Sequence, residues 1–194
     1  MPIHTAGAPS PELHALVARH LSNPLAAPQL PPVKRGDVSA SEPYPVYVLT
    51  LEELEAAEET MAEKTPRVWR HLLVHQGSAV GEVDVTAEEA APRVVAVHRG
   101  PRAPGTARAL ETAQQSSLLG ASDFELRMVE APAIYLVALW LHAPYDDVLI
   151  ALDPDKSGLP LYEPTPLEQA LPVLRRRAAQ VRAAQAAAPG PSGA

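Results

Sequence analysis

The sequence predicts an α+β fold in which a mainly antiparallel sheet of about six or seven strands carries two or three packed helices. The segment 131–142 is apolar on both alternating sets of positions, which is typical of a strand covered on both faces. Other strand-like segments follow one another too closely for a crossover helix, so we expect them to pair antiparallel. A few further segments have apolar residues at helical spacing.

The elements are predicted in the order β-α-β-β-β-α-β-β-β. The first strand is at 44–50, after which Thr50 and Glu53 form a capping box for a helix. The remaining predictions, in chain order, are a hairpin with strands at 67–76 and 79–86, a strand at 93–99, a helix at 106–118, and strands at 123–130, 133–142 and 147–152.

Proline-rich, partly disordered segments are predicted on both sides of a core domain at residues 44–160. Residues 1–43 form an arm with one short amphipathic helix, and we expect a folded core to remain when residues 1–40 are deleted. At the other end, residues 161–187 contain a helix that packs on the core or binds a partner, and residues 188–194 form a disordered tail.

The net charge of −7 and the absence of cysteine argue against several classes of function. An acidic chain lacks the basic patch that nucleic-acid binding requires. Without cysteine the chain has no disulfide, no thiolate nucleophile and no sulfur-ligated zinc. The first residues show no secretory signal, and no apolar run is long enough to cross a bilayer. We therefore expect a cytoplasmic protein without a membrane partner or a cofactor.

The predicted hairpin brings imidazoles and carboxylates to one face of the sheet. With its loop at 77–78, His71 stands opposite Asp84, and moving the loop back by one residue pairs His71 with Glu82 instead. Together with His75, these groups are candidate ligands of a divalent metal or candidates for acid–base chemistry. The alternative is a solvated hairpin face that carries a cross-strand pair of a histidine and a carboxylate.

The loop that precedes the second predicted helix gathers arginines and glycines. The free N–H groups at a helix start attract anions, and arginine adds bidentate donors. The spacing matches neither a Walker loop nor a dinucleotide fingerprint, and the alternative is an ordinary connection whose arginines face water. The candidate anion-binding residues are Arg99, Arg102, Gly105, Thr106 and Arg108.

The predicted terminal helix carries an apolar stripe at steps of three or four residues. We expect Pro172, which falls inside the stripe, to kink or restart this helix. The stripe either covers one face of the sheet or is presented to a partner. The candidate partner-binding residues are Leu167, Leu171, Leu174, Arg175, Ala178 and Val181.

These observations favour a non-enzymatic interaction protein, such as an adaptor, an accessory subunit or a structural subunit that binds another protein. The alternative is a small-molecule or metal-dependent enzyme that uses His71, Glu82 and Asp84, or an anion-binding domain that uses the loop at 99–106. A homo-oligomer formed by pairing of edge strands is a further alternative, because the sequence does not identify the edge strands.

Overall fold

The computed structural model describes residues 3–5, 12–23, 37–56, 64–86, 92–119 and 122–187. Within these ranges four α-helices accompany ten strands, which all belong to one mixed sheet. The predicted α+β class is confirmed, but the sheet is larger than expected and mixed rather than mainly antiparallel. No helix in the described ranges is long and apolar enough to cross a membrane. The proline-rich stretch at 24–36 and the predicted tail at 188–194 lie outside the described residues.

The sheet has the order β10-β9-β8-β7-β3-β4-β5-β6, with β1 beside β7 and β2 beside β4. Its strands are β1 (Ile3–Thr5), β2 (Val38–Ala40), β3 (Tyr44–Val48), β4 (Val68–His75), β5 (Ser78–Thr86), β6 (Val94–His98), β7 (Phe124–Ala131), β8 (Leu136–His142), β9 (Val148–Ala151) and β10 (Pro164–Pro166). The helices are α1 (Glu12–Ser22), α2 (Leu51–Glu55), α3 (Arg102–Gln115) and α4 (Leu167–Ala187).

Two features make the sheet larger and mixed. β1, β2 and β10 have 3 residues each, which is too short to show the alternation that identifies a strand in a sequence. β1 and β3 also run parallel to β7, whereas the other described pairs of strands are antiparallel. The chain between β3 and β7 contains the hairpin, β6 and α3, so it is long enough for a parallel arrangement.

β8 is the buried strand that the apolar segment predicts. Its side chains alternate between two core clusters, one beneath α3 and one beneath α4. The strand begins at Leu136 rather than at residue 133, because Pro132–Ile134 form a turn of 3₁₀ helix that ends at Tyr135. Tyr135 has a φ of +57°, and this left-handed conformation redirects the chain from β7 into β8.

Helix α3 begins at Arg102, earlier than the predicted start at residue 106. Pro104 does not delay this start, because the N–H groups in the first turn of a helix have no intrahelical partner to lose. The amide of Gly105 donates to the carbonyl of Pro101 at 3.0 Å. Gly105 and Thr106 therefore lie inside the helix, and the free helix start that the sequence suggested there is absent.

Helices α2 and α4 pack into the same core cluster. α2 is capped as predicted, with both reciprocal bonds between Thr50 and Glu53 present. α4 is continuous through Pro172, which does not end it. Its stripe is used within the molecule, since the residues that are buried or partly buried against the sheet are Leu167, Leu171, Leu174, Ala178 and Val181. The apolar side of α4 therefore covers the sheet, which is the first of the two arrangements that the sequence allows.

Helix α1 belongs to the core although it precedes the predicted core domain. Leu13, Val17 and Leu21 are buried and form one cluster with Trp69 and Val83 of the hairpin. β1 and β2 also pair with strands of the sheet. Deleting residues 1–40 would remove these contacts and uncover one face of the hairpin, which argues against the expectation that the rest folds without them.

Candidate functional site

The β4–β5 hairpin is the first part of the site, and its register differs from the prediction. The turn lies at 76–77, and Val80 is an extra residue on β5 that the opposite strand does not match. A bulge of this kind moves every side chain beyond it to the other face. Arg70 therefore stands opposite Asp84, whereas both predicted registers put His71 opposite a carboxylate.

Arg70 lies in the middle of the molecule and is only 2 % exposed. Its Nε and Nη2 donate to Asp84 Oδ1 and Oδ2 at 2.6 and 2.9 Å, a bidentate arrangement. Its Nη1 donates to Glu130 Oε1 on β7 at 2.8 Å and lies 3.6 Å from Glu82 Oε2. One guanidinium therefore joins carboxylates from the hairpin and from β7.

Further polar groups surround these carboxylates. Glu82 accepts hydrogen bonds from Thr106 at 2.8 Å and from Tyr44 at 3.4 Å. Asp84 Oδ2 lies 2.8 Å from Nε2 of His98 on β6, and Arg102 of α3 donates to Glu130 at 2.9 Å. We call this set the Arg70 cluster, whose members are Tyr44, Arg70, Glu82, Asp84, His98, Arg102, Thr106 and Glu130.

The electrostatics of the Arg70 cluster favour its ionised form. Burial alone would raise the pKa of Asp84, but hydrogen bonds from Arg70 and His98 lower that pKa to about 2. Burial would likewise lower the pKa of Arg70, and the bonds to Asp84 together with the nearby carboxylates raise it above its ordinary value instead. Burial, and secondly the charge of Glu82, raise the pKa of Tyr44 well above its ordinary value.

The Arg70 cluster joins β3, β4, β5, β6, β7 and α3, so its main effect is to fix these elements relative to one another. Its charged groups bond to each other, as buried charges must, and Arg102 and Glu130 also border a cavity. Within the described ranges, no group of three or more His, Asp or Glu side chains is placed to hold a metal ion.

The structure does not bring the predicted metal ligands together. Glu82 and Asp84 face the Arg70 cluster, whereas His71 lies on the opposite face, with Nδ1 2.8 Å from the carbonyl of Ser41. Its ring packs edge-on against His14, and burial lowers the pKa of the imidazole, which favours the neutral form. His75, at the far end of β4, lies 4.0 Å from Asp37. The bulge at Val80 is the physical reason for this separation.

The predicted anion-binding residues do not converge on an open site either. Arg102 and Thr106 bond to carboxylates of the Arg70 cluster. Arg108 stacks over the ring of Tyr162 with its Cζ 4.2 Å from the ring centre, and a Cβ added to Gly105 would lie 3.2 Å from the hydroxyl of the same tyrosine. Arg99 is exposed beyond the end of β6. Arg102, Thr106 and Arg108 therefore connect α3 to its neighbours within the molecule.

The two ends of the sheet differ in their chemistry. The sheet ends at β10 on one side and at β6 on the other. β10 contains Pro164 and Pro166, which lack the amide hydrogens that a further strand would need. β6 has neither a proline nor a charged side chain along 94–97, and Val95 is 46 % exposed. In the described part of the chain β5 is the sole strand that pairs with β6.

No protein-family model, no curated protein and no solved structure matches this chain.

Two of the cavities that adjoin the sheet are lined by polar pairs. A cavity of about 490 Å³ contains His142 and Asp147, whose Nδ1 and Oδ1 are 2.7 Å apart. Another, of about 280 Å³, lies beside the ion pair of Arg102 and Glu130. The central polar pair of each cavity is satisfied within the chain, so neither cavity defines the chemistry of a ligand.

Proposed function

We propose that this chain is a non-enzymatic protein-interaction module, an adaptor or accessory subunit, which binds an extended segment of another protein along the outer edge of β6. The observation that carries the proposal is the contrast between prolines at the β10 end of the sheet and an uncharged apolar strand at the β6 end. Soluble proteins protect an edge strand with charges, prolines or bulges, and β6 has only the bulge at Val95, which favours it over the proline-containing β10 as a docking strand.

The edge offers both main-chain and side-chain contacts. A segment added to an edge strand forms main-chain hydrogen bonds, each of which contributes about 0.5–1.5 kcal/mol. Val95 is an extra residue between the pairs that Ala96 and Val94 make with β5, and its exposed side chain offers an apolar contact. Beyond this bulge the residues at 96–98 keep a regular register with β5, so a partner strand has a regular edge to follow.

The fold holds β6 in place from both faces. On one face His98 bonds to Asp84 of the Arg70 cluster. On the other face Val94 and Val97 pack against the cluster that α1 covers. A strand held in this way loses little conformational freedom when a partner binds, which favours affinity.

The composition of the chain supports a particular kind of partner and a compartment. A net charge of −7 disfavours both nucleic-acid phosphates and anionic lipid headgroups, so we propose a protein partner. A chain without cysteine cannot be stabilised by the disulfide bonds that form in oxidising compartments, so we propose that it resides in the cytoplasm.

The experiment starts from peptides that are selected from a random library for binding to the full chain. The dissociation constant of the selected peptide is then measured for the variants Val95→Lys and Leu161→Lys. Val95→Lys places on the edge the charge that natural edges use to prevent pairing. Leu161→Lys is the matched control, because Leu161 is also an exposed large hydrophobic residue and lies near β10.

We expect the dissociation constant to rise at least about tenfold in Val95→Lys and less than about twofold in Leu161→Lys. Hydrogen exchange should show new protection of the amides of β6 when the peptide is bound. A peptide that binds both variants equally well and protects a different part of the chain would contradict the proposal.

A further inference from the structure

Helix α1 lies against the hairpin at a buried histidine of β4. We infer that His71 makes this attachment sensitive to acid, so that its protonation releases α1 and uncovers an apolar face of the hairpin. The juxtaposition that supports the inference is a ring that is 0 % exposed, whose Nε2 has no hydrogen-bond partner among the described residues, in edge-on contact with His14 of α1. Such a switch does not require that β6 binds a partner.

The hydrogen bond of His71 fixes where an added proton would go. Nδ1 lies 2.8 Å from the carbonyl oxygen of Ser41, which only accepts, so Nδ1 carries the proton of the neutral ring and donates it. A second proton therefore goes to Nε2, which is buried without an acceptor in the described part of the chain. A buried N–H group that is both charged and unpaired is costly. The closed arrangement therefore opposes protonation of His71.

The groups that face His71 from the neighbouring elements do not offset this cost. On α1 the facing group is His14, which would repel an imidazolium when it is itself protonated, whereas the carboxylate of Glu42, before β3, attracts one. On β5 the residue opposite is the uncharged Val83, and the carboxylates of that strand lie on the other face. Burial outweighs the bond to Ser41 and the attraction of Glu42, so the pKa of His71 lies below its ordinary value of 6.5.

Opening of α1 removes the cost because it admits water to Nε2. Leu13, Val17 and Leu21 hold the helix to the hairpin by side-chain packing, whereas the backbone hydrogen bonds of a helix lie within the helix itself. α1 therefore separates from the sheet in a local opening without breaking a strand pair. The closed form has its full stability above pH 6.5 and loses it as the pH falls towards the lower pKa of the closed form, because the open form binds the proton more readily.

The face of the hairpin that α1 covers is apolar. Its members are Trp69, Leu73, Val83 and Val85, which form one cluster with the buried side of the helix. Acid therefore exposes a continuous apolar surface that is hidden at neutral pH, and such surfaces bind other molecules. A histidine whose charge controls the packing of an element is a common form of pH sensor.

The test uses the absence of cysteine, because a single introduced thiol is then the only one in the chain. Val17→Cys puts a thiol on the buried side of α1, and Ala170→Cys puts one on the buried side of α4 as a control. The rate of reaction with dithiodipyridine, which also reacts in weak acid, is measured in the full chain between about pH 7.5 and about pH 5, the range in which histidine titrates. Each rate is divided by that of the exposed Ser22→Cys at the same pH, so the ratio reports how often the helix opens.

We expect the ratio for Val17→Cys to rise at least about fivefold as the pH falls through this range, and the ratio for Ala170→Cys to rise less than about twofold. The rise should be lost when His71→Asn is added, because the amide of asparagine keeps a donor for Ser41 and does not titrate. His142→Asn, which changes a histidine of β8 in the same way, should leave the rise intact.

A ratio for Val17→Cys that does not change with pH would overturn the inference without any histidine variant. Equal rises for Val17→Cys and Ala170→Cys would show unfolding of the whole chain instead of release of α1, which also overturns it. A rise that persists in His71→Asn and is lost in His20→Asn would assign the proton to a histidine of α1 whose Nε2 is likewise buried, against the inference. If His71→Asn shows no cooperative thermal transition at neutral pH, His71→Gln takes its place.

Discussion

Arg70 is the residue at which the hairpin, β7 and α3 meet, since its guanidinium bonds to Asp84 and to Glu130, which Arg102 of α3 also contacts. Removing it leaves three carboxylates in the interior without their central cation. We expect Arg70→Met to lower the free energy of unfolding by about 3–5 kcal/mol in urea denaturation, because an uncompensated buried charge is costly.

The matched variant for this prediction replaces Arg70 and Asp84 together by Met and Leu. It removes the cation with its closest carboxylate, so we expect it to recover a large part of the stability that Arg70→Met loses. A loss below about 1 kcal/mol in Arg70→Met would show that the carboxylates do not depend on Arg70.

Asp84 makes the stability depend on pH in the acid range. Its pKa of about 2 in the folded chain lies below its ordinary value of 3.8, so its ionised form stabilises the fold above about pH 4 and this stabilisation is lost as the pH falls towards 2. The difference corresponds to about 2 kcal/mol at neutral pH. We expect Asp84→Asn to be less stable than the unmodified chain at pH 7, and the gap in unfolding free energy to close between pH 4 and 2. A gap that stays constant down to pH 2 would contradict this assignment.

At the scale of single elements, α1 shows how far a short helix contributes to the core. Leu13 is 2 % exposed and packs beside the hairpin, so Leu13→Ala leaves a cavity under β4 and β5. We expect this variant to lose about 2–5 kcal/mol in chemical denaturation, and deletion of residues 1–40 to prevent cooperative folding. Arg19→Ala, at an exposed position of the same helix, is the control and should change stability by less than about 0.5 kcal/mol. A cooperatively folded truncation would restore the view of residues 1–40 as an appendage.

The sequence predicts most of the longer helices and strands, but few of the contacts between side chains of different elements. The continuous apolar run identifies β8, the short distance between β4 and β5 identifies the hairpin, and Thr50 with Glu53 marks the start of α2. Val80 carries no such mark, because an extra residue in a strand looks like any other apolar residue. That single bulge puts Glu82 and Asp84 on the face opposite to His71, so the structure separates the candidate metal ligands although the hairpin itself was predicted.

Two members of the Arg70 cluster are recognisable in the sequence as charged residues at apolar strand positions. Local motifs do not reveal them, because the two residues lie in different strands. In β4, Arg70 shares one face of the strand with Val68 and Leu72. In β7, Glu130 shares a face with Leu126 and Met128, so both charges lie on apolar strand faces. Opposite charges in the apolar faces of different strands suggest a buried pair. Their contact could not be predicted, because it depends on β3 pairing in parallel with β7 across a long connection.

At the scale of the whole molecule, the mixed sheet is covered on both faces where β7 and β8 lie. Leu139 is 0 % exposed in the middle of β8, between β7 and β9. We expect Leu139→Asp to abolish the folded state, since a buried carboxylate without a partner is among the most costly substitutions. A soluble variant with a cooperative thermal transition would contradict the central position of this strand.

The two ends of the sheet differ, because β10 contains two prolines whereas β6 is the strand that we propose receives a partner. This difference becomes visible in the exchange of backbone amides, because the N–H groups on the outer side of an edge strand have no strand to bond to.

The most direct test is amide hydrogen exchange measured by NMR on the full chain at low concentration, without any partner. We expect the amides of Val94–His98 that point away from β5 to exchange rapidly, and those of β8 to exchange slowly as part of the core. If instead every amide of β6 is protected in the free monomer, then the edge is already covered by the chain itself, and the proposal that β6 receives a partner is contradicted.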